Sequence, residues 1–311
     1  MHPQAEPERA SLASVVVCTH NRAASAERLL RSLADQSVPS QRYEIVLVDD
    51  GCTDETADMC RRLQAEVPNL RYVATGVQSG TARARNAGVE AARGDPILFV
   101  DDDCIARRDW LEHMLAALED EPLVAGAVAA PRGRYFQLCH NVAEFYHLFP
   151  GRRGGYVDWI ANANAGYRRS LLEDVGLFRG AWRLAEDTEL LLRARARGYR
   201  PYFEPRAVVT HHTPRNRFGE VLRYSAQHAT VTIRLRLRYP ELTGTPRFFR
   251  SPLLLMLGAP LIALRVTAGV YLGSPRMWRL LHTAPVVYGL KLAWCAGAAR
   301  SLWREPPGEE A

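Results

Sequence analysis

The feature that most constrains the fold is a repeated alternation of short apolar runs with helical patterns. The apolar runs are SVVVC (14–18), EIVLV (44–48), LRYVA (70–74) and PILFV (96–100). Between them, apolar residues recur at helical spacing, as Leu29, Leu30 and Leu33 do. Strands that alternate with helices form an open, mostly parallel sheet flanked by helices. The sequence therefore predicts an α/β fold.

Three of these predicted strands end in polar residues. The first is followed by Thr19, His20, Asn21 and Arg22, the second by Asp49 and Asp50, and the fourth by Asp101, Asp102 and Asp103. Ligands of open α/β sheets bind beyond the carboxyl ends of the strands. Because three polar clusters would meet at one edge, the sequence indicates a functional site there.

The three consecutive aspartates pose an electrostatic problem. Close carboxylates repel one another, and burying them is costly unless a positive charge lies between them. Asp101 and Asp103 can bind a hard divalent cation whose other ligands are water or phosphate oxygens. The alternative is a solvated acidic turn before a helix that begins at Trp110, with Asp109 as its cap. The apolar strand directly before the aspartates favours the metal site.

Asp50 and two arginines are further candidates. A carboxylate at Asp50 can accept hydrogen bonds from a base or a ribose, or it can cap the helix predicted to follow Thr53. Arg22 and Arg85 lie in loops expected to open toward the same edge, where a guanidinium can bind a diphosphate through two hydrogen bonds. Arginine is abundant in this chain, so each of these assignments stays open.

Two later clusters carry ionisable groups. Glu186 and Asp187 precede an apolar helix, where acids commonly complement the helix dipole but can also abstract a proton from a hydroxyl. His211 and His212 follow a predicted strand over residues 206–209, and one of them can ligate a metal or lie at the surface. Residues from about 123 to 182 are less regular.

The chain changes character in its last third. Residues 200–311 carry a net charge of +10, whereas residues 1–199 carry −4. The apolar stretches 253–273 and 277–299 reach the ~20 residues of a membrane-spanning helix only by including a cation. We expect helices that lie in a membrane interface; a spanning or re-entrant hairpin and packed soluble helices are the alternatives.

Further expectations concern the helices of this segment and the compartment. Pro260 and Pro285 should kink the two apolar helices. The cysteines follow no CxxC or regular spacing, which argues against a zinc site or a disulfide framework and favours a reducing compartment. The polar N-terminal residues lack the apolar stretch of a signal peptide, so we expect the catalytic part in the cytosol.

Five segments in this order resemble the family 2 glycosyltransferases of the GT-A fold. They are SVVVCTHNR, VLVDDGCTDET, GTARARNAG, ILFVDDDC and AEDTELLLRARARGY, and the resemblance extends over roughly residues 12 to 215. Two departures concern the nucleotide region: Gln78, Ser79 and Gly80 replace a common Asn-x-Gly, and Cys52 replaces a usual serine.

The resemblance implies a role for each matching residue. The nucleoside would be bound by Thr19, His20, Asn21, Arg22 and Asp50 on one side and by Gly80 and Arg85 on the other, with Asp102 near the ribose. Mg²⁺ or Mn²⁺ would be held by the DxD pair, Asp101 and Asp103, with His211 as a further match. Asp187 would be the general base, and Glu186 would position the substrate.

The implied activity is an inverting transfer of a sugar from a nucleotide-sugar, with UDP as the expected nucleotide, to an acceptor hydroxyl. The basic apolar tail favours a lipid-linked or cell-envelope glycan as acceptor, at the cytoplasmic face of a membrane. We expect a transferase domain over residues 1–245 and a membrane-associated helical region over residues 246–311. A soluble small-molecule acceptor and a non-catalytic nucleotide-sugar scaffold are the alternatives. Nucleic acid is not an expected partner, because the positive charge is interleaved with long apolar runs.

Overall fold

The computed structural model describes residues 12–182 and 184–304. Within these residues, nine strands form one sheet, in the order β3-β2-β1-β4-β8-β6-β9-β5, with β7 paired to β9. The strands are β1 (Ala13–Thr19), β2 (Tyr43–Asp49), β3 (Leu70–Ala74), β4 (Ile97–Phe99), β5 (Cys104–Ala106), β6 (Leu123–Ala129), β7 (Gly155–Tyr156), β8 (Ala165–Tyr167) and β9 (Tyr202–His211).

Helices cover both faces of the sheet and form the C-terminal part. The α-helices are α1 (Ala23–Ala34), α2 (Thr56–Gln64), α3 (Thr81–Ala91), α4 (Trp110–Asp120), α5 (Tyr135–Phe145), α6 (Arg169–Val175), α7 (Glu186–Ala196), α8 (Phe218–Arg238), α9 (Pro240–Thr243), α10 (Pro252–Leu272) and α11 (Ala284–Arg304). Short 3₁₀ helices lie at Ser40–Arg42, Tyr146–Leu148, Asn162–Asn164, Arg247–Arg250 and Pro275–Thr283.

The first four strands form the parallel part of the sheet. In its register, Val16 of β1 pairs with Val46 of β2 and with Phe99 of β4. Every residue of β2 is buried, which fits a sheet covered on both faces and explains why the strands appear as continuous apolar runs. Because β1, β2 and β4 run in the same direction, the polar residues that follow them meet at one edge.

The sheet beyond β4 is mixed. Strand β8 pairs antiparallel with β4 and with β6, while β6 pairs parallel with β9, and β5 and β7 pair antiparallel with β9. The stretch predicted to be irregular thus supplies β6, β7, β8 and α5. Strand β6 has the sequence LVAGAVA; alanine and glycine are poor strand formers, so its pattern is weak although most of it is buried.

The last third is a helical layer built on α8, α10 and α11. These helices share an apolar cluster that includes Ile233, Leu255 and Cys295. Gly297 of α11 lies against the backbone of Ala226 in α8, where any Cβ would collide with the carbonyl oxygen. Helix α8 precedes residue 246, so residues on both sides of the predicted domain boundary pack together, and the boundary stays a prediction.

The apolar stretches of the tail differ in structure. Helix α10 continues through Pro260. The second stretch begins as a 3₁₀ helix, and Pro285 lies in the first turn of α11, where no intrahelical N–H bond is lost. Among the described residues, α10 alone is long and apolar enough to span a bilayer, although the core helix of a soluble protein can have the same length and composition. Of its most apolar 18 residues, 28% are buried inside the protein.

Candidate active site

A cavity of about 350 Å³ opens at the edge where β1, β4 and β9 end. Its walls come from the loop after β1, the aspartates after β4, the start of α7 and the helices α5 and α8. Of the residues predicted from sequence, it is lined by Thr19, His20, Arg22, Asp50, Arg85, Asp101, Asp102, Asp103, Glu186, Asp187 and His211. Gly80 lies in a neighbouring cavity that shares His20, Asp50 and Glu186 with this one, and Asn21 lines neither.

Asp102 is bound by the protein itself through both carboxylate oxygens. Thr19 Oγ1 donates to Asp102 Oδ2 at 2.7 Å, and Arg22 Nη1 donates to Asp102 Oδ1 at 3.0 Å. Burial raises the pKa of Asp102 to about 6, although the charge of Arg22 and the Thr19 hydroxyl oppose the shift. Asp102 therefore fastens the loop after β1 to the end of β4, whatever contact it makes with a ligand.

Asp103 lies between Arg22 and His211. Arg22 Nη1 is 3.4 Å from Asp103 Oδ2, and His211 Nε2 is 3.3 Å from Asp103 Oδ1. Burial would raise the pKa of Asp103, but the hydrogen bond and charge of His211, together with Arg22, hold it at about 2. The antiparallel pairing of β5 with β9 places Cys104 opposite His211, which brings the end of β9 beside the aspartates.

Arg85 joins the aspartate cluster to the acidic pair at the start of α7. Its Nη2 donates to Asp101 Oδ1 at 3.0 Å and its Nη1 to Glu186 Oε1 at 2.5 Å. Burial raises the pKa of Asp101 and of Glu186, although the charge of Arg85 opposes both shifts. The charge of Asp103 adds to the shift of Asp101, and the charge of Asp187 adds to that of Glu186. The side chain of Asp101 remains 40% exposed, so its second oxygen is accessible from the cavity.

Asp187 faces the cavity from the first turn of α7. Its Oδ1 accepts a hydrogen bond from the backbone N–H of Thr188 at 2.7 Å, and its Oδ2 accepts one from Asn162 N at 3.3 Å. These backbone donors fix the direction of the carboxylate. Glu186 Oε2 is buried and has no hydrogen-bond partner among the described residues.

Asp50 and Asn21 brace the loops beside the cavity. Asp50 Oδ1 accepts from Ser79 N at 2.7 Å and Ser79 Oγ at 2.6 Å, and its Oδ2 accepts from Gly80 N at 2.9 Å. Burial raises the pKa of Asp50, but these hydrogen bonds outweigh it and lower the value below the usual one. Asn21, in the left-handed region at φ 53°, accepts from Thr53 N at 2.7 Å through Oδ1.

Gly51 permits the approach of these loops. It adopts φ +71°, and a Cβ there would lie 2.3 Å from the backbone nitrogen of Gln78. A larger residue would push the 75–80 loop away from Asp50. Asp50 does not cap the following helix; Asp54 accepts from Ala23 N at 3.1 Å and from Thr56 N at 3.1 Å, the first residues of α1 and α2.

The carboxylates and His211 fit a divalent cation only in part. Among the described residues, no group of three or more His, Cys, Asp or Glu side chains is arranged to hold a metal ion. Hard oxygen donors of Asp101 and Asp103 nevertheless converge on the cavity, with one Asp101 oxygen accessible. Such a donor set suits an ion whose remaining ligands come from a diphosphate.

Several cavity residues escaped the sequence analysis, namely His140, Phe145, Leu184, Arg215 and Tyr224. The first two lie on α5, whose polar residues Gln137, His140, Asn141 and Glu144 recur at helical spacing in an otherwise apolar helix. That polar stripe is a signal that the sequence could have revealed. Arg215 packs over the ring of Tyr224 at 3.7 Å, a contact for which the sequence offers no signal.

Comparison with known families and proteins agrees with this geometry. The model of the family described as "Glycosyl transferase family 2" matches residues 14–176. Glycosyltransferase AglE of Haloferax volcanii is 28% identical over 220 residues, 68% of this chain and 69% of that protein. The pre-mycofactocin glycosyltransferase of Mycobacterium tuberculosis is 27% identical over 270 residues, 84% of this chain and 53% of that protein, so the chain spans about half of that relative.

Solved structures show the same fold. The mannosyltransferase PcManGT from Pyrobaculum calidifontis, in complex with GDP-Man and Mn²⁺, aligns with a TM-score of 0.69 at 22% identity, over 95% of this chain and 88% of that one. Residues 1–349 of S. aureus TarS in complex with UDP align with a TM-score of 0.56 at 20% identity, over 96% of this chain and 92% of that one. At these identities the likeness shows the fold alone.

Proposed function

Because the chain belongs to glycosyl transferase family 2 and is a nucleotide-sugar-dependent glycosyltransferase of the GT-A fold, we propose an inverting, metal-dependent transfer to an acceptor hydroxyl. The observation that carries the proposal is that Asp101, Asp103 and Asp187 line one cavity. A nucleotide-sugar whose diphosphate lies at the aspartates would have its sugar near Asp187.

The donor site is proposed at the sheet edge, with UDP as the nucleotide. Thr19, His20, Asp50 and Gly80, with Asp102 near the ribose, would surround the nucleoside, and Arg22 would face the diphosphate. Asn21 would act through the loop that it braces. Arg85 already donates to two carboxylates, so its proposed role is to hold Asp101 and Glu186 in the wall.

Asp101 and Asp103, with His211, are the residues that would hold Mg²⁺ or Mn²⁺. When bound, the ion supplies positive charge that stabilises the departing nucleotide diphosphate. PcManGT was solved with Mn²⁺ and a nucleotide-sugar, which supports the same kind of site here.

Asp187 is proposed as the general base. Its carboxylate accepts the proton of the acceptor hydroxyl as that oxygen attacks the anomeric carbon on the face opposite the leaving group. The new glycosidic bond forms while the bond to the diphosphate breaks, so the configuration inverts in one displacement. Glu186 would position the substrate from the adjacent wall.

A membrane-linked acceptor, such as a lipid-linked or cell-envelope glycan, is proposed from the helical layer. Helix α10 exposes Leu253, Leu257, Leu261 and Leu264 on the protein surface, and Trp278 and Trp303 of the same helical region are also exposed. Apolar side chains interspersed with arginine suit a membrane interface. We propose that the helical region attaches the transferase domain to the cytoplasmic face of a membrane, through interfacial contact or by insertion of α10.

A screen of nucleotide-sugars tests the proposal directly. Purified protein is incubated with UDP-, GDP- and dTDP-sugars and Mn²⁺, and thermal stabilisation and nucleotide release are measured. We expect stabilisation and slow hydrolysis with UDP-sugars that chelation of Mn²⁺ abolishes. Stabilisation by nucleotide-sugars without any hydrolysis or transfer would instead favour a non-catalytic scaffold. Transfer to a soluble small molecule, by a protein that does not bind liposomes, would exclude the membrane-linked acceptor.

A further inference from the structure

A second cavity of about 270 Å³ lies between the sheet domain and the helical layer. It shares Asp101, Phe145, Leu184, Asp187 and Tyr224 with the catalytic cavity, so the proposed base borders both. Its other walls include Trp159 from the loop after β7, Arg236 of α8, and Lys291 and Trp294 of α11. A group in this cavity would approach Asp187 from a side separate from the nucleoside loops.

Arg236 is the cation of this cavity that lacks an anionic partner. Its guanidinium carbon lies 5.5 Å from the ring centroid of Trp159 and 5.6 Å from that of Trp294. Among the described residues, no carboxylate pairs with this guanidinium and no side chain or backbone group accepts its hydrogen bonds. Burial lowers the pKa of Arg236, because no nearby carboxylate compensates for its loss of water.

Three further charged groups of the cavity, Glu144, His228 and Lys291, interact with one another. Glu144 Oε2 is 3.5 Å from His228 Nδ1, and the charges of His228 and Lys291 lower the pKa of Glu144 against its burial. Lys291 Nζ donates to the carbonyl oxygen of Ala143 at 2.9 Å. None of them pairs directly with Arg236, whose described contacts are the two tryptophan rings.

The aromatic contacts of Arg236 leave its hydrogen bonds unused. An aromatic ring attracts a guanidinium through its negative face and does not consume the N–H donors at the edge of the group. Planar N–H pairs bind the two oxygens of a carboxylate or phosphate together. A half-buried arginine that packs against two tryptophans and lines a cavity can thus receive an oxyanion.

We propose that Arg236, with Trp159 and Trp294, forms an acceptor subsite that binds an oxyanion, a carboxylate or a phosphate, carried by the acceptor. The inference rests on the proposed transferase function and adds the chemical class of the acceptor. The anion at Arg236 holds the acceptor while a neighbouring hydroxyl faces Asp187. The subsite lies beside α10 and α11, which suits an acceptor presented at a membrane surface.

Tryptophan fluorescence tests the subsite without any nucleotide present. Wild-type protein is titrated with glucuronate, with glucose 6-phosphate and with glucose as the neutral analogue. We expect saturable changes with one or both anions and none with glucose; the anion that binds tells a carboxylate acceptor from a phosphorylated one. Arg236→Gln should weaken that binding at least about tenfold, which is the loss of a charge-assisted hydrogen-bond pair.

Two further variants make the result decisive. Arg238→Gln removes the same charge from an exposed position of the same helix and should bind the anions as the wild type does. Arg236→Lys retains the charge but loses the planar pair of donors, so it should bind the anions several-fold more weakly than wild type. This variant still tests the subsite if Arg236→Gln does not fold. Equal binding by wild-type, Arg236→Gln and Arg236→Lys proteins, equal response to glucose and glucuronate, or no anion binding at all would overturn the subsite.

The experiment separates this inference from the function on which it rests. Anion binding that depends on Arg236, in a protein that neither binds nor hydrolyses nucleotide-sugars, would leave the subsite standing and remove the transferase proposal. Hydrolysis of the nucleotide-sugar without anion binding would remove the subsite and leave the transferase proposal standing.

Discussion

Asn141 fixes the orientation of His211. Asn141 Nδ2 donates to the backbone carbonyl of His211 at 2.9 Å, so its Oδ1 faces His211 Nδ1 at 2.6 Å and accepts the ring N–H. With Nδ1 bound to Asn141, His211 Nε2 faces Asp103 Oδ1, 3.3 Å away. Asn141 thus presents Nε2 beside the Asp103 carboxylate, and an outer partner of this kind orients most metal-binding histidines.

We expect Asn141→Ala to weaken Mn²⁺ binding about tenfold, because His211 would lose its orientation. Asn141→Asp retains an acceptor for the ring N–H and should bind Mn²⁺ more tightly than Asn141→Ala. The measurement is a titration in the presence of UDP, with free Mn²⁺ read by electron paramagnetic resonance. Unchanged affinity in the alanine variant would exclude His211 as an oriented ligand.

Asp187→Asn should lower the rate of transfer by about 10² to 10⁴, because the amide cannot accept the acceptor proton. Nucleotide affinity should change little, since Asp187 lies at the sugar end of the proposed donor site. Steady-state kinetics and UDP titration measure the two quantities. Asp120→Asn, an exposed change at the end of α4, is the control. Transfer at the wild-type rate in Asp187→Asn would remove Asp187 as the base.

Arg85→Met should destabilise the fold by roughly 3 kcal/mol, because Asp101 and Glu186 would lose their buried counter-charge. Adding Glu186→Gln should recover part of this loss, since one uncompensated charge is removed. Arg83→Met, exposed on the same helix, should be close to neutral. The free energy of unfolding of each variant is measured by urea titration at pH 7. If the changes caused by Arg85→Met and Glu186→Gln simply add in the double variant, the proposed coupling between the two side chains is wrong.

His147 should make stability depend on pH. Burial lowers the pKa of His147 from 6.5 to about 4, with Lys291 and Arg152 adding to the shift and Glu144 opposing it. Because the folded pKa lies below the unfolded one, the unfolded chain binds the proton first, and stability falls as pH decreases from about 6.5 to about 4.

We therefore expect His147→Gln to reduce the loss of stability between pH 7 and pH 5 by about 1–2 kcal/mol relative to wild type. Urea titrations at several pH values give the slope of the free energy of unfolding against pH. This slope can be compared between proteins whose stabilities at pH 7 differ. His282→Gln, an exposed change, should leave the slope as in wild type. An identical slope in wild type and His147→Gln would rule out His147 as its source.

Replacing Leu257 and Leu261 of α10 with serine should reduce retention by liposomes. These side chains are 71% and 73% exposed and lie one turn apart, so their removal takes apolar area from the membrane without opening the core. Cosedimentation with anionic liposomes measures retention, and Val77→Ser, a loss of a similarly exposed apolar group in the 75–80 loop, is the control. Full retention of the double variant, or no retention of wild type, would exclude this surface as the membrane contact.

The sequence by itself determined the parallel half of the sheet and the edge at which the site lies. Fully buried strands leave continuous apolar runs, and parallel strands bring the polar residues after β1, β2 and β4 together wherever the rest of the chain goes. Asp101 and Asp103 could be named for that reason, and the family resemblance supplied the roles that residue types alone left open, including that of Asp187 at the start of α7.

Only the tertiary structure decided which of these side chains are already bound by the protein. Asp50, Asp102 and Arg85 make their contacts with partners at least sixteen residues away in the chain, and no local pattern records such pairs. The same holds for Arg236. In the sequence it is one of several arginines on a helix, and only the tertiary structure places Trp159 and Trp294 beside it. Periodicity predicts which face of an element is buried, whereas the partners it meets depend on how distant elements pack.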